Sequence, residues 1–64
     1  MFIPGDTRLP VYEVEFEVIN PLTRQAEHKW DYVHAKSVSE AKSMITWIYG
    51  QHVNFLNVEV DVDV

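Results

Sequence analysis

The chain has 64 residues, with ten Asp plus Glu against five Lys plus Arg, a formal charge of −5 and no cysteine. A chain this short makes one domain that buries only about 60% of its unfolded surface, which leaves little room for a deep catalytic pocket. The shortage of Lys and Arg argues against direct nucleic-acid binding, because phosphates are met by those cations. The missing cysteines exclude a disulfide framework and thiolate metal sites and favour a cytoplasmic setting.

Apolar residues make up 47% of the chain, which suits a folded globule. No apolar run approaches the ~18 residues of a membrane span. The first residues lack the basic start and apolar stretch of a signal peptide.

Residues 1–10 read as an N-terminal arm and 11–64 as a single α+β domain. Pro4-Gly5 marks a turn, and Pro10 holds Leu9 extended. Phe2, Ile3 and Leu9 are available to pack back on the body, but a frayed terminus with one anchored aromatic is the stronger expectation. From Val11 to Ile19 the residues alternate. Tyr12, Val14, Phe16 and Val18 share one face, and Glu13, Glu15 and Glu17 the other, which is a strand wet on one side.

Asn20-Pro21 signals a turn that runs on through Ala26. A second strand spans about Glu27 to Ala35. With Val33 and Ala35 inward, His28, Trp30, Tyr32 and His34 lie outward beside the carboxylates. The opposite phase, with Trp30 and Tyr32 buried, is a serious rival because large aromatics favour the interior.

Ser37-Val38-Ser39-Glu40 has the spacing of a capping box. It opens a helix to about Tyr49, with Gly50 as C-cap. Val38, Ala41, Met44, Ile45 and Ile48 form its apolar stripe, and Trp47 lies off it. Gln51 to Asn54 is a loop, and a last strand runs from about Phe55 to Val64. The order is β-β-α-β: a three-stranded antiparallel sheet, expected in the order 2-1-3, with one helix packed on one face.

That order puts Glu13, Glu15 and Glu17 beside Glu59, Asp61 and Asp63 on the open face. Like charges directly opposite on neighbouring strands cost about 0.2–1 kcal/mol per pair. One reading is a solvated face that keeps the sheet soluble. The other is a docking face for a Lys/Arg-rich protein, with Trp30, Tyr32 and Trp47 as candidate anchors. Arginine pairs with carboxylates and also stacks on aromatic rings. Carboxylates recurring every ~6.8 Å along a strand also coincide in projection with alternate phosphates of a DNA strand.

No catalytic motif is visible, and Gly5 and Gly50 are too few for a phosphate-cradling loop. His28 and His34, six apart on one strand, sit about 20 Å from each other and cannot share a metal. His52 reads as a solvated loop histidine. Glu59, Asp61 and Asp63 on a regular strand do not wrap a calcium ion. No enzyme, cofactor or metal is expected.

The stretch Ala35 to Tyr49, with Glu40-Ala41 near the helix start and Trp47-Ile48-Tyr49 at its end, resembles the helix of the small inhibitor of host RNA polymerase made by T7-type phages. That family has a similar length and the same strand, strand, helix, strand order. The similarity covers about half the chain, from His28 onward, and includes Phe55 after the loop.

The resemblance implies a non-enzymatic, phage-type inhibitor acting in host takeover by docking on a nucleic-acid enzyme, in the host cytoplasm if phage-encoded. Where the family carries basic contacts on its last strand, this chain has Glu59 and Asp61, so the partner surface would be basic. Two alternatives stand beside this one. The chain could be an anti-defence (anti-CRISPR or anti-restriction) DNA mimic. It could instead be an oligomerising structural module in which strand two or strand three pairs with its own copy.

Overall fold

The computed structural model describes residues 3–62. It has β1 (Val11–Ile19), β2 (Ala26–His34), α1 (Val38–Tyr49) and β3 (Val53–Val62). The three strands form one antiparallel sheet in the order β2-β1-β3, with β1 in the centre, and the helix covers one face. The expected α+β architecture and strand order are therefore the observed ones.

The core follows from the period-two pattern. Val14 and Phe16 of β1, Val33 at the end of β2, Ala35 just after it, and Ala41 and Ile45 of α1 form one fully buried cluster. Burying a side chain the size of Phe16 or Ile45 contributes roughly 1.5–3 kcal/mol.

The helix stripe is narrower than the sequence pattern predicts. Ala41 and Ile45 are buried, while Val38 and Ile48 are 43% and 47% exposed. Tyr49, one turn beyond Ile45, completes the buried line instead, with its ring 5.0 Å from that of Phe16. Its hydroxyl donates to Asp31 Oδ2 at 2.7 Å. A tyrosine at a helix end can bury its ring and still satisfy its hydroxyl, and this places it where an aliphatic residue was expected.

The start of α1 also departs in one bond. Ser37 Oγ accepts from the Glu40 N–H at 3.2 Å as a capping box requires. Glu40 Oε1, however, reaches back to the N–H of Lys36 rather than that of Ser37. Gly50, at φ 95°, ends the helix and donates its N–H to the Thr46 carbonyl.

β2 and β3 both begin before their expected starts. β3 begins at Val53 because Val53 pairs with Val18, and its register against β1 shifts twice. The shift between Glu15 and Phe16 leaves Leu56 unpaired as a bulge. It lets Phe55 and Val58, three apart, both face the helix. A second shift, between Val11 and Tyr12, makes Asp61 the extra residue.

The arm is docked rather than frayed from Ile3 onward. The His34 N–H donates to the Pro4 carbonyl at 2.8 Å, and the Ala35 N–H to that of Pro10 at 3.0 Å. Gly5 holds φ 107°, and a Cβ there would lie 2.3 Å from the His34 carbonyl oxygen, so only glycine lets the arm lie this close to β2. The expected packing of Phe2 lies outside the described residues.

Candidate partner-binding face

The open face is built by the residues that alternate with the core. In β1 these are Glu13, Glu15 and Glu17. The register sets them opposite Tyr32, Trp30 and His28 of β2 on one side, and Glu59, Asn57 and Asn54 of β3 on the other. The phase of β2 is therefore the one with Val33 inward. Trp30 is 58% exposed, and the rival phase that buries it is not adopted.

The reason is visible across the sheet. The helix-side positions of β2 beyond Val33 are Asp31, Lys29 and Glu27, of which Asp31 is taken by Tyr49 and Lys29 pairs with Glu27 at 3.0 Å. The helix covers β2 less than it covers β1 and β3. That half of β2 buries little on either side, so its aromatics are not drawn inward.

The carboxylates are held by neutral or weakly basic neighbours. Glu15 Oε2 lies 2.7 Å from His28 Nε2, and the His28 ring packs against Trp30 with centroids 4.2 Å apart and planes tilted by 41°. The Tyr32 hydroxyl donates to Glu13 at 3.3 Å, and the Asn54 amide to Glu17 at 3.1 Å. The negative charge of Glu13, then its hydrogen bond, then burial and the charge of Asp61, push the Tyr32 phenol above its usual range. Asp61 thus belongs to the same electrostatic neighbourhood.

Glu13 and Glu59 stand directly opposite each other. The cations lie elsewhere. Arg8 pairs with Asp6 in the arm, Arg24 sits in the hairpin loop, and Lys29 is on the helix side of β2. Lys36 lies between β2 and α1, and the Lys42 ammonium rests 5.7 Å over the Phe55 ring.

Of the candidate residues, Glu13, Glu15, Glu17, Glu59, Asp61, Trp30 and Tyr32 come together. Trp47 does not. It is 89% exposed on the outer side of the helix, beside Ser39, Lys42, Ser43 and Gln51, with the whole core between it and the acidic face. Asp63 lies outside the described residues. Asn54 and Asn57 both join the face, although strict alternation through Phe55 would put Asn54 there and turn Asn57 toward the helix. The signal in the sequence is the three-residue spacing of Phe55 and Val58, which breaks the period of two and marks a bulge.

Among the described residues no group of three or more His, Asp or Glu is arranged to hold a metal ion. No helix among them is long and apolar enough to cross a membrane. A groove of about 680 Å³ at the hairpin end, lined by Val18, Leu22, Ala26, Glu27, Tyr49 and His52, is an open trough that none of the open-face carboxylates lines. Compared with protein-family models, with curated proteins and with solved structures, the chain matches none.

Proposed function

We propose that this chain is a non-enzymatic binding protein whose open sheet face docks on a Lys/Arg-rich protein surface. One observation carries the reading: Glu13 and Glu59 face each other in register, flanked by Glu15, Glu17 and Asp61, and among the described residues none of them pairs with a lysine or arginine, Glu15 meeting only His28. In so small a domain the mutual repulsion has no structural return, since like charges opposite each other cost about 0.2–1 kcal/mol. A partner's arginines would relieve it and find Trp30 as a stacking platform. Trp47 is not part of this contact.

The resemblance of helix and strand order to the polymerase inhibitors of T7-type phages makes bacterial RNA polymerase the first target to test. On this reading the protein works in the host cytoplasm and carries no cofactor. The test is binding of the labelled chain to RNA polymerase over a salt series, for the native chain and for Glu15→Lys and Asp61→Lys together.

The native chain is expected to bind and to weaken as salt rises, because exposed charges are screened within about 10 Å at 0.1 M salt. The double reversal should bind weakly and show little salt dependence, with an unchanged circular dichroism spectrum. Binding that ignores both substitutions removes this face from consideration. Displacement by duplex DNA would assign the face to a nucleic-acid channel, as the DNA-mimic alternative requires.

A further inference from the structure

The free edge of β2 has a pattern that fits a second copy of itself. The Ala35 N–H donates to the Pro10 carbonyl of the central strand's lead-in, so odd-numbered residues of β2 bond inward to β1. Even-numbered ones therefore point their N–H and C=O groups away from the sheet, as they must in an antiparallel ladder. His34 confirms the parity: its N–H goes outward, to Pro4. The arm thus closes one end of this edge. His28 and Trp30 have no backbone partner on that side among the described residues, and the Tyr32 N–H is held only by its neighbour's side chain, Asp31 Oδ1, at 2.8 Å.

We propose that β2 pairs antiparallel with β2 of a second copy, about a two-fold axis at Trp30. This register alone satisfies three conditions together. It sets outward-pointing His28, Trp30 and Tyr32 opposite the partner's Tyr32, Trp30 and His28, so each N–H meets a C=O. It sets Lys29 opposite the partner's Asp31 twice, at the close non-hydrogen-bonded positions where side chains are about 4.5–5.5 Å apart. It also stops where Pro4 and Gly5 cover His34.

An axis between two residues breaks the hydrogen-bond parity between the two edges, and an axis at Lys29 or Asp31 keeps it but sets Lys29 opposite the partner's Lys29, or Asp31 opposite the partner's Asp31. An axis at Tyr32 loses the Lys29–Asp31 pairing, and an axis at His28 replaces it with a pairing of Lys29 and the partner's Glu27, which Lys29 already meets within its own strand. The other edge, β3, offers no equivalent match. It is bulged at Leu56, and its charges near the free end are all acidic, both of which discourage pairing. The resulting six-stranded sheet joins the two open faces into one acidic surface, but the pairing stands on the edge alone and does not depend on what that surface binds.

The test is sedimentation equilibrium of the full chain across concentrations up to about 1 mM, the weak end of measurable association. The native chain should show a monomer–dimer equilibrium. Lys29→Asp and Asp31→Lys should each weaken self-association by about tenfold or more, since each sets like charges opposite twice. An equimolar mixture of the two should recover it as a heterodimer. In the mixed pair the introduced aspartate of one copy meets the introduced lysine of the other, and the native Asp31 of the first meets the native Lys29 of the second.

His28→Pro removes an N–H that the single chain does not use, and should abolish pairing while the circular dichroism spectrum is kept. Val60→Pro on the β3 edge should leave it unchanged. A monomer at every concentration overturns the proposal. So does a dimer indifferent to His28→Pro and to the mixing of the two charge variants.

Discussion

The two faces of β1 are made of the same nine residues and obey opposite rules. On the helix side Val14 and Phe16 are wholly buried among Val33, Ala35, Ala41 and Ile45. On the open side Glu13, Glu15 and Glu17 are partly exposed, and each is held by one polar neighbour: Tyr32, His28 or Asn54. The buried face determines whether the chain folds. The open face costs a little stability and is free to be chosen for something else.

The buried side is the more sensitive of the two to substitution. Phe16→Ala removes the largest fully enclosed side chain and its contact with Tyr49, and should cost about 3–5 kcal/mol. In a domain of this size that is most of the stability, so the variant should be unfolded or nearly so at 25 °C by circular dichroism. Its neighbour Glu15→Gln should stay within about 0.5 kcal/mol of the native chain in urea unfolding. Equal effects at the two positions would mean that the faces are not distinct in energy.

Tyr49→Phe is the next step down. It keeps the ring against Phe16 and removes the hydroxyl bond to Asp31, leaving a carboxylate on the helix side with one donor fewer. The expected loss is about 1–2 kcal/mol. The same bond, followed by burial and the negative charge of Asp31, pushes the Tyr49 phenol up to about 12.

The folded value therefore lies above the unfolded one of about 10. The stabilisation is therefore complete below pH 10 and is lost as pH rises from there through about 12. Alkaline unfolding should thus begin at lower pH in a chain already weakened elsewhere, and Tyr49→Phe should remove this part of the pH dependence. An unchanged alkaline profile in that variant would exclude the Tyr49–Asp31 bond as its source.

Much of this division was legible in the sequence because β1 alternates without a break from Tyr12 to Val18. Seven residues of strict period two, Tyr12–Val18, fix a strand, its phase and the side that meets the helix. Ser37 and Gly50 likewise fixed the helix ends through capping chemistry. What could not be read was whatever depends on a second element. Whether Tyr49 is core depends on where the helix end lands relative to Asp31. The docked arm depends on the bare outer edge at His34, which exists only once β1 has taken the other side. The bulge at Leu56 interrupts the period, and Asn54 and Asn57 reach the acidic face only through it. Trp47 has the composition of a binding anchor, but only the helix's orientation reveals that it lies on the far side from Trp30.

The finest separation of the two faces comes from Glu59→Gln. Glu59 stands opposite Glu13 and forms no ion pair among the described residues. Neutralising it should stabilise the fold by about 0.2–1 kcal/mol, read as a higher urea midpoint with an unchanged slope. If the face serves a basic partner, the same substitution should weaken binding, so stability and affinity move in opposite directions. If the carboxylates only keep the sheet soluble, stability should rise and binding should not change. A substitution that destabilised the chain would instead give Glu59 a structural role, and the repulsion across β1 and β3 would no longer argue for a partner.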